Sequence, residues 1–280
     1  MNIAKSLFET AIEDLNSVEI LFNTKHYNIA LFQLQQSVEK FVKSFGLYTN
    51  AIKPNEMGKK INHLPHKVFS IIFENEINEL SKNDREPMFV ADMIPPHLRG
   101  NKDLKEKLEN LKEIHSEIKK AESHKDKTLY LDDMEKFLNG VKELDKLLDF
   151  DEPKLLEEIQ DDIIKTNEHF IEYFKGDENI KEMSNELIEK SHVIAQNKLL
   201  QVKIEQVRSR KFNYTAYVWV NMSFLTSPHQ QTTRYPSIVN EDTPNNLYNE
   251  NSIIIQYIPE LVKIMRKSVE NFKEVYPELN

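Results

Sequence analysis

A chain of 280 residues with 5 glycines and no cysteine has few built-in turns and no thiol chemistry, which excludes disulfides and thiolate nucleophiles. The net charge of −9 is localised: residues 101–200 hold 17 lysines, no arginine and 26 acidic residues, which accounts for all of it and leaves the remainder balanced. The acidity therefore belongs to the middle of the chain and does not forbid a polyanion site on the rest. Leu, Ile, Glu and Lys dominate, so the fold class predicted is all-α.

The first segment, MNIAKSLFETAIEDL, is amphipathic and carries acidic residues, unlike the basic start and apolar run of a signal peptide. No stretch reaches the roughly 18 uninterrupted apolar residues of a spanning helix, so a soluble, cytoplasmic protein with no membrane contact is expected. Leu7, Ala11, Leu15, Val18 and Phe22 recur at three- and four-residue steps and predict one helix. Thr24, Lys25 and His26 interrupt it. Leu31, Leu34, Val38, Phe41, Val42 and Phe45 predict a second, with Gln36, Glu39, Lys40 and Lys43 on another side. A connection this short favours an antiparallel αα-hairpin.

Residues 49–60, with Pro54 and Gly58, read as a loop before a third helix that starts near Asn62 and carries Val68, Ile71, Ile72 and Phe73. His63 and His66 flank Pro65, a spacing that suits two metal-binding imidazoles but more often a capped and packed first turn. Residues 84–100 are proline-rich and read as a linker or lid. Charged amphipathic helices follow, with Pro153 opening one of them and Gly176-Asp177 marking the turn before a long helix, straight or kinked, from Ile180 to Leu225.

Near the end of that helix Lys203, Arg208, Arg210 and Lys211 precede Tyr214, Tyr217, Trp219 and Phe224. Basic residues beside aromatics suit nucleic acid, although aromatics at this spacing are more often core. Residues 227–251 are polar and contain Pro228, Pro236 and Pro244. The closing helix, about 252–275, presents Ile255, Ile258, Val262, Met265, Val269 and Phe272, with Pro259 near its start.

The ordered set Asp14-Leu15, Tyr27 with Ala30, Gln35-Gln36, Glu39-Lys40 and Lys43 resembles the HEPN domain family. Asn62-His63-Leu64 with Val68-Phe69 is similar to that family's third-helix start, and Thr233-Arg234-Tyr235-Pro236 to its Arg-Tyr-Pro segment. The resemblance covers about 1–80 and 210–275. It implies an up-and-down helical bundle formed by residues 1–83 and 205–280, interrupted by an acidic helical insertion over 84–204. It implies further a homodimer, expected to bury Phe32 or Trp219, with a nucleotidyltransferase as possible partner and a nucleotide or RNA as ligand. The setting it suggests is a toxin-antitoxin or defence pair.

Many members of the family cut RNA without metal, with an arginine about four to six residues before a histidine. None of Arg85, Arg99, Arg208, Arg210, Arg234 and Arg266 has a histidine at that distance downstream, and His229 precedes Arg234. A ligand-binding module is therefore favoured. The alternatives are a metal-independent endoribonuclease using His229 or His63 with Arg234, and an adaptor acting through the acidic insertion. No cofactor is implied, and no Gly-rich phosphate loop or zinc motif occurs. The candidate site is Glu39, Lys40, Lys43, Arg234 and Tyr235. The cations would hold phosphate, Glu39 would position Arg234, and Tyr235 would stack on a base. A purely structural Glu39–Arg234 pair is the competing reading.

Overall fold

The computed structural model describes residues 3–83, 101–123, 131–148, 151–235 and 243–279, and contains no strand among them. The helices are α1 (Ile3–Asn23), α2 (Tyr27–Tyr48), α3 (His66–Asn83), α4 (Asn101–Ser123), α5 (Leu131–Leu148), α6 (Glu152–Tyr173), α7 (Glu178–Glu189), α8 (Ser191–Thr226) and α9 (Ile253–Val275). The fold is all-α. The proline-rich segment 84–100 lies outside the described residues, as does Pro236.

Two compact units emerge. The first gathers residues 1–78, 111–145 and 211–280; the second gathers 79–110 and 146–210. Residues 111–145, read from sequence as part of the insertion, thus fold with the first unit.

The first unit is built on the α1–α2 hairpin. Lys25 takes φ 62° in the connecting turn, which lets three residues reverse the chain. Apolar stripes of both helices are buried, and so are two serines that periodicity does not mark: Ser37 donates to the carbonyl of Ala11 (3.0 Å) and Ser44 to that of Ala4 (2.8 Å). Small side chains at a seven-residue interval let the helices approach closely, and the carbonyl bonds satisfy their hydroxyls. Gly46 has the same role opposite the third helix, since a Cβ there would stand 2.7 Å from Val68 Cγ1 and 2.9 Å from Ile52 Cγ1.

α9 closes this core from the other end of the chain. Phe8, Phe41, Phe45, Trp219 and Phe272 form one aromatic cluster, with Phe41 stacked on Trp219 at 5.3 Å and Phe8 5.7 Å from Phe272. Trp219 is wholly buried and donates its indole N–H to Ser268 Oγ at 2.8 Å. It therefore offers no surface to a second subunit, contrary to the expectation that it sits at a dimer interface. At the surface of the same packing, Arg266 bonds Asn16 (3.0 Å) and Glu19 (2.7 Å). Pro259 falls in the second turn of α9 rather than the first, so it forgoes one backbone bond inside the helix.

α5 adds Met134, Phe137 and Val141 to the first unit. Gly140 makes this possible: a Cβ on it would lie 1.9 Å from the Tyr217 hydroxyl. Lys267 pairs with Asp145 at 2.8 Å along the same seam.

In the second unit, Asp151 caps α6 by accepting from the Lys154 N–H at 3.1 Å, and Asp177 caps α7 from Asn179 and Ile180. Gly176 at φ +103° supplies the turn before Asp177. The predicted single helix from Ile180 to Leu225 is divided at Lys190 into α7 and α8. Apolar periodicity runs across this break and so does not reveal it. Only Leu155 and Ala195 among the apolar residues 151–210 are fully buried, beside small polar Ser184 and Ser191. Several large apolar side chains here remain at the surface.

Candidate functional site

α2 displays its polar groups in two places. The first is a knot around Glu39. This carboxylate is buried, accepts from Gln35 Nε2 (3.1 Å) and Lys43 Nζ (2.7 Å), and lies 3.2 Å from His63 Nδ1. The His63 ring is largely exposed, so Glu39 holds it from one side while Nε2 is left toward the surface. The turn that delivers His63 is unusual: a π-helical turn, Met57–Ile61, is followed by Asn62 at φ 51°, ψ −119°. Lys40 points the other way along the hairpin and pairs with Asp14 of α1.

Each candidate lysine therefore carries its own carboxylate. A phosphate would have to displace Glu39 from Lys43 or Asp14 from Lys40, and the local charge of these two pairs sums to zero. The knot ties α2 to the turn before the third helix, and the separate Lys40–Asp14 pair ties α2 to α1.

The second place is the first half of α2, where residues 227–235 and 243–248 pack. Asn28 Nδ2 donates to the Thr233 carbonyl at 3.4 Å. One turn further on, the Arg234 guanidinium carbon lies 5.0 Å from the Phe32 ring centroid and 5.4 Å from that of Tyr235, within cation–π range. Its Nε–H donates to the Gln230 carbonyl at 3.2 Å. Arg234 is exposed and Tyr235 is 61% exposed. Among the described residues no carboxylate pairs with Arg234.

The Glu39–Arg234 pair considered from sequence is thus not formed. Phe32 precedes Glu39 by seven residues, or about 10 Å along the helix axis, which separates the guanidinium's seat from the knot. The structure brings Glu39 and Lys43 together, and Arg234 and Tyr235 together, but not the two groups. Phe32 was singled out from sequence only as an interface residue. No local pattern marks it as the seat of an arginine some two hundred positions away.

Beside this seat a polar cavity of about 380 Å³ is lined by Lys25, His26, Tyr27, Asn28, Asn245 and Tyr248, among others. Behind it, His229 Nδ1 is 2.8 Å from the Tyr248 hydroxyl, which is 2.6 Å from Thr232 Oγ1. Burial pushes the His229 imidazole down to about 4, so it is neutral at pH 7. Its Nε2 is buried without a hydrogen-bond partner. A chain in which His229 Nδ1–H donates to Tyr248, Tyr248 to Thr232, and Thr232 to the His229 carbonyl at 3.4 Å leaves Nε2 as a bare lone pair.

The basic and aromatic stretch at the end of the long helix resolves into packing. Lys203 pairs with Glu152, Lys211 with Glu274, and Arg210 donates to the Leu147 carbonyl. Tyr214 and Trp219 are core, and Phe224 stacks on the buried His66 ring at 4.9 Å. Among the described residues no group of three metal-ligating side chains occurs. Nor is any helix among them long and apolar enough to cross a membrane.

Fold and site together define an all-α protein built on a helical hairpin whose second helix carries the polar groups. Residues 4–82 match the family model of the HEPN domain. The match takes in α2 and all but one residue each of α1 and α3, and leaves Arg234 and Tyr235 outside it. No curated protein and no solved structure matches the chain.

Proposed function

We propose that this chain is a HEPN-type binding module in the nucleotide or RNA sphere, with Arg234, Tyr235 and Phe32 as its ligand platform. One observation carries the reading: an exposed guanidinium set against two rings, with no carboxylate among the described residues to neutralise it. A cation beside an exposed aromatic face is the combination that binds a phosphate and stacks on a base. The adjacent polar cavity, which Asn28 lines one turn from Phe32, gives a small ligand room next to that platform. Glu39, Lys40 and Lys43 take the supporting role of fixing the helices that present it.

The family resemblance extends the proposal to a toxin-antitoxin or defence pair with a nucleotidyltransferase. Co-expression with a neighbouring nucleotidyltransferase, followed by co-purification, tests that part. The platform is tested by titrating ATP, GTP and a short single-stranded RNA into wild type, Arg234→Ala and Tyr235→Ala. Binding that is weakened at least about tenfold by either change supports the reading. Unchanged binding in both variants, or none in the wild type, removes it. Incubation of total RNA in EDTA separates binding from cleavage.

A further inference from the structure

The second unit leaves an open groove between α6 and the first half of α8. These helices run antiparallel, tied by the Lys203–Glu152 ion pair and, at the start of α8, by Gln160, which donates to Ser191 Oγ at 3.3 Å and lies 3.2 Å from His192 Nδ1. Leu155, Ile159 and Ile163 line the groove from α6, Ile194 and Val202 from α8, and Leu187 from α7. Four-residue steps align each row along its helix. The groove encloses about 780 Å³. Leu155 is buried, the isoleucines and Val202 are half-buried, and Leu187 is 36% exposed. Apolar side chains lined up along a trough, rather than scattered singly, mark a place where another element packs.

The edge of the groove on α6 is acidic. Of its three carboxylates, Glu158 and Asp161 have Lys154 and Lys165 beside them, at 3.9 and 3.7 Å in exposed pairs, and Asp162 has no cation beside it among the described residues. Exposed pairs at such distances are weak, so all three carboxylates are open to a partner's cation. Residues 151–190 around them hold 13 acidic residues against 5 lysines, a surplus of eight negative charges. The edge on α8 carries Lys198.

We propose that this groove receives an amphipathic helix of another protein, with an apolar stripe along its length and lysine or arginine on the flank that faces α6. Each wall is about a dozen residues long, or about 18 Å, which matches three turns of a third helix whose side-chain rows fit the trough between two others. The acidic edge selects a cationic flank and repels nucleic acid, and Lys198 favours a neutral or acidic residue on the other flank. None of the groove lies within the family-matched residues 4–82, and none belongs to the Arg234 platform. A contact of three turns buries less than the roughly 800 Å² per partner of a stable complex, so the affinity expected is micromolar.

The test titrates the full chain into a fluorescent synthetic helix of about 18 residues, with leucines at three- and four-residue steps and lysines on one flank, read by anisotropy. Saturable micromolar binding is expected, weakened at least about tenfold by Asp162→Lys and by Leu187→Glu, with helical circular dichroism unchanged in both. Glu182→Lys makes the same charge change on the exposed face of α7, outside the groove, and should leave the affinity within about twofold. Two control peptides, one with glutamates for the lysines and one with serines for the leucines, should each bind at least about tenfold more weakly. A lysine peptide that binds no better than either control, or not at all at roughly 500 μM, overturns the proposal. So does a loss from Glu182→Lys as large as that from Asp162→Lys, which would mean attraction to net charge alone. Self-association of the chain that Leu187→Glu abolishes overturns it too, because a second copy then fills the groove.

Discussion

The guanidinium of Arg234 rests over the ring of Phe32, 5.0 Å from its centroid, and so belongs to the exposed start of α2 rather than to the buried Glu39 two turns along. The fate of Arg234 on mutation follows from that position. An exposed cation held by one ring and one carbonyl carries little folding energy. Arg234→Ala should change stability by less than about 1 kcal/mol, measured by urea unfolding. In a double-mutant cycle, Glu39→Ala and Arg234→Ala should be additive within about 0.5 kcal/mol. A coupling well above that value would mean that the two side chains meet in solution.

Glu39 should behave differently with its neighbour on α2. Its side chain is 7% exposed and that of Lys43 15%, so removal of the carboxylate strands a mostly buried ammonium. Glu39→Gln is expected to cost about 2–3 kcal/mol, somewhat less than a fully buried pair because Lys43 retains some water. Glu39→Gln with Lys43→Met should recover most of the loss in the same unfolding experiment. It should not restore the contact at His63 Nδ1, whose carboxylate partner is gone.

Acid should loosen the segment that carries the platform. His229 is held neutral by burial, with its value lowered from 6.5 to about 4. The folded form therefore binds fewer protons than the unfolded form between those values. The stabilisation is complete above about pH 6.5 and is lost as pH falls toward 4, at about 1.4 kcal/mol per unit, or roughly 3 kcal/mol in all. His229→Gln should flatten the stability profile over that window relative to wild type. Carboxylate titration is common to both proteins and cancels in the difference.

Gly140 should tolerate no side chain. A Cβ at this position would sit 1.9 Å from the Tyr217 hydroxyl and 2.5 Å from its Cζ, closer than any non-bonded contact allows. Gly140→Ala is expected to destabilise by about 1–3 kcal/mol despite the better helix propensity of alanine. Removing the obstructing ring in Gly140→Ala/Tyr217→Val should make the same alanine neutral or stabilising relative to Tyr217→Val alone. Thermal melts of the four proteins decide the matter.

What the sequence determined by itself was the local part of this protein. The stripes of α1, α2 and α9, the helix start at Pro153 and the turn at Gly176-Asp177 follow from interactions within about four residues, so periodicity and turn residues report them directly. The ordered polar residues of α2 likewise sufficed to point to the HEPN resemblance, and the match over residues 4–82 rests on the same stretch.

The tertiary structure alone decided which partners those residues take. Lys40 and Lys43 look like free cations in sequence, yet Lys40 is paired with Asp14, 26 positions earlier, and Lys43 turns inward to Glu39. Trp219 reads from its spacing as core and from the family resemblance as an interface residue, and its burial and hydrogen bond to Ser268 place it in the core. The break at Lys190 is masked because apolar spacing continues through it. Arg234 finds Phe32 only because α9 and residues 227–235 fold back on the hairpin. Such contacts depend on which helix faces meet, and no short-range pattern encodes that choice. A fixed set of helices can pack in several ways, and burial of the Phe8–Phe41–Phe45–Trp219–Phe272 cluster selects one of them.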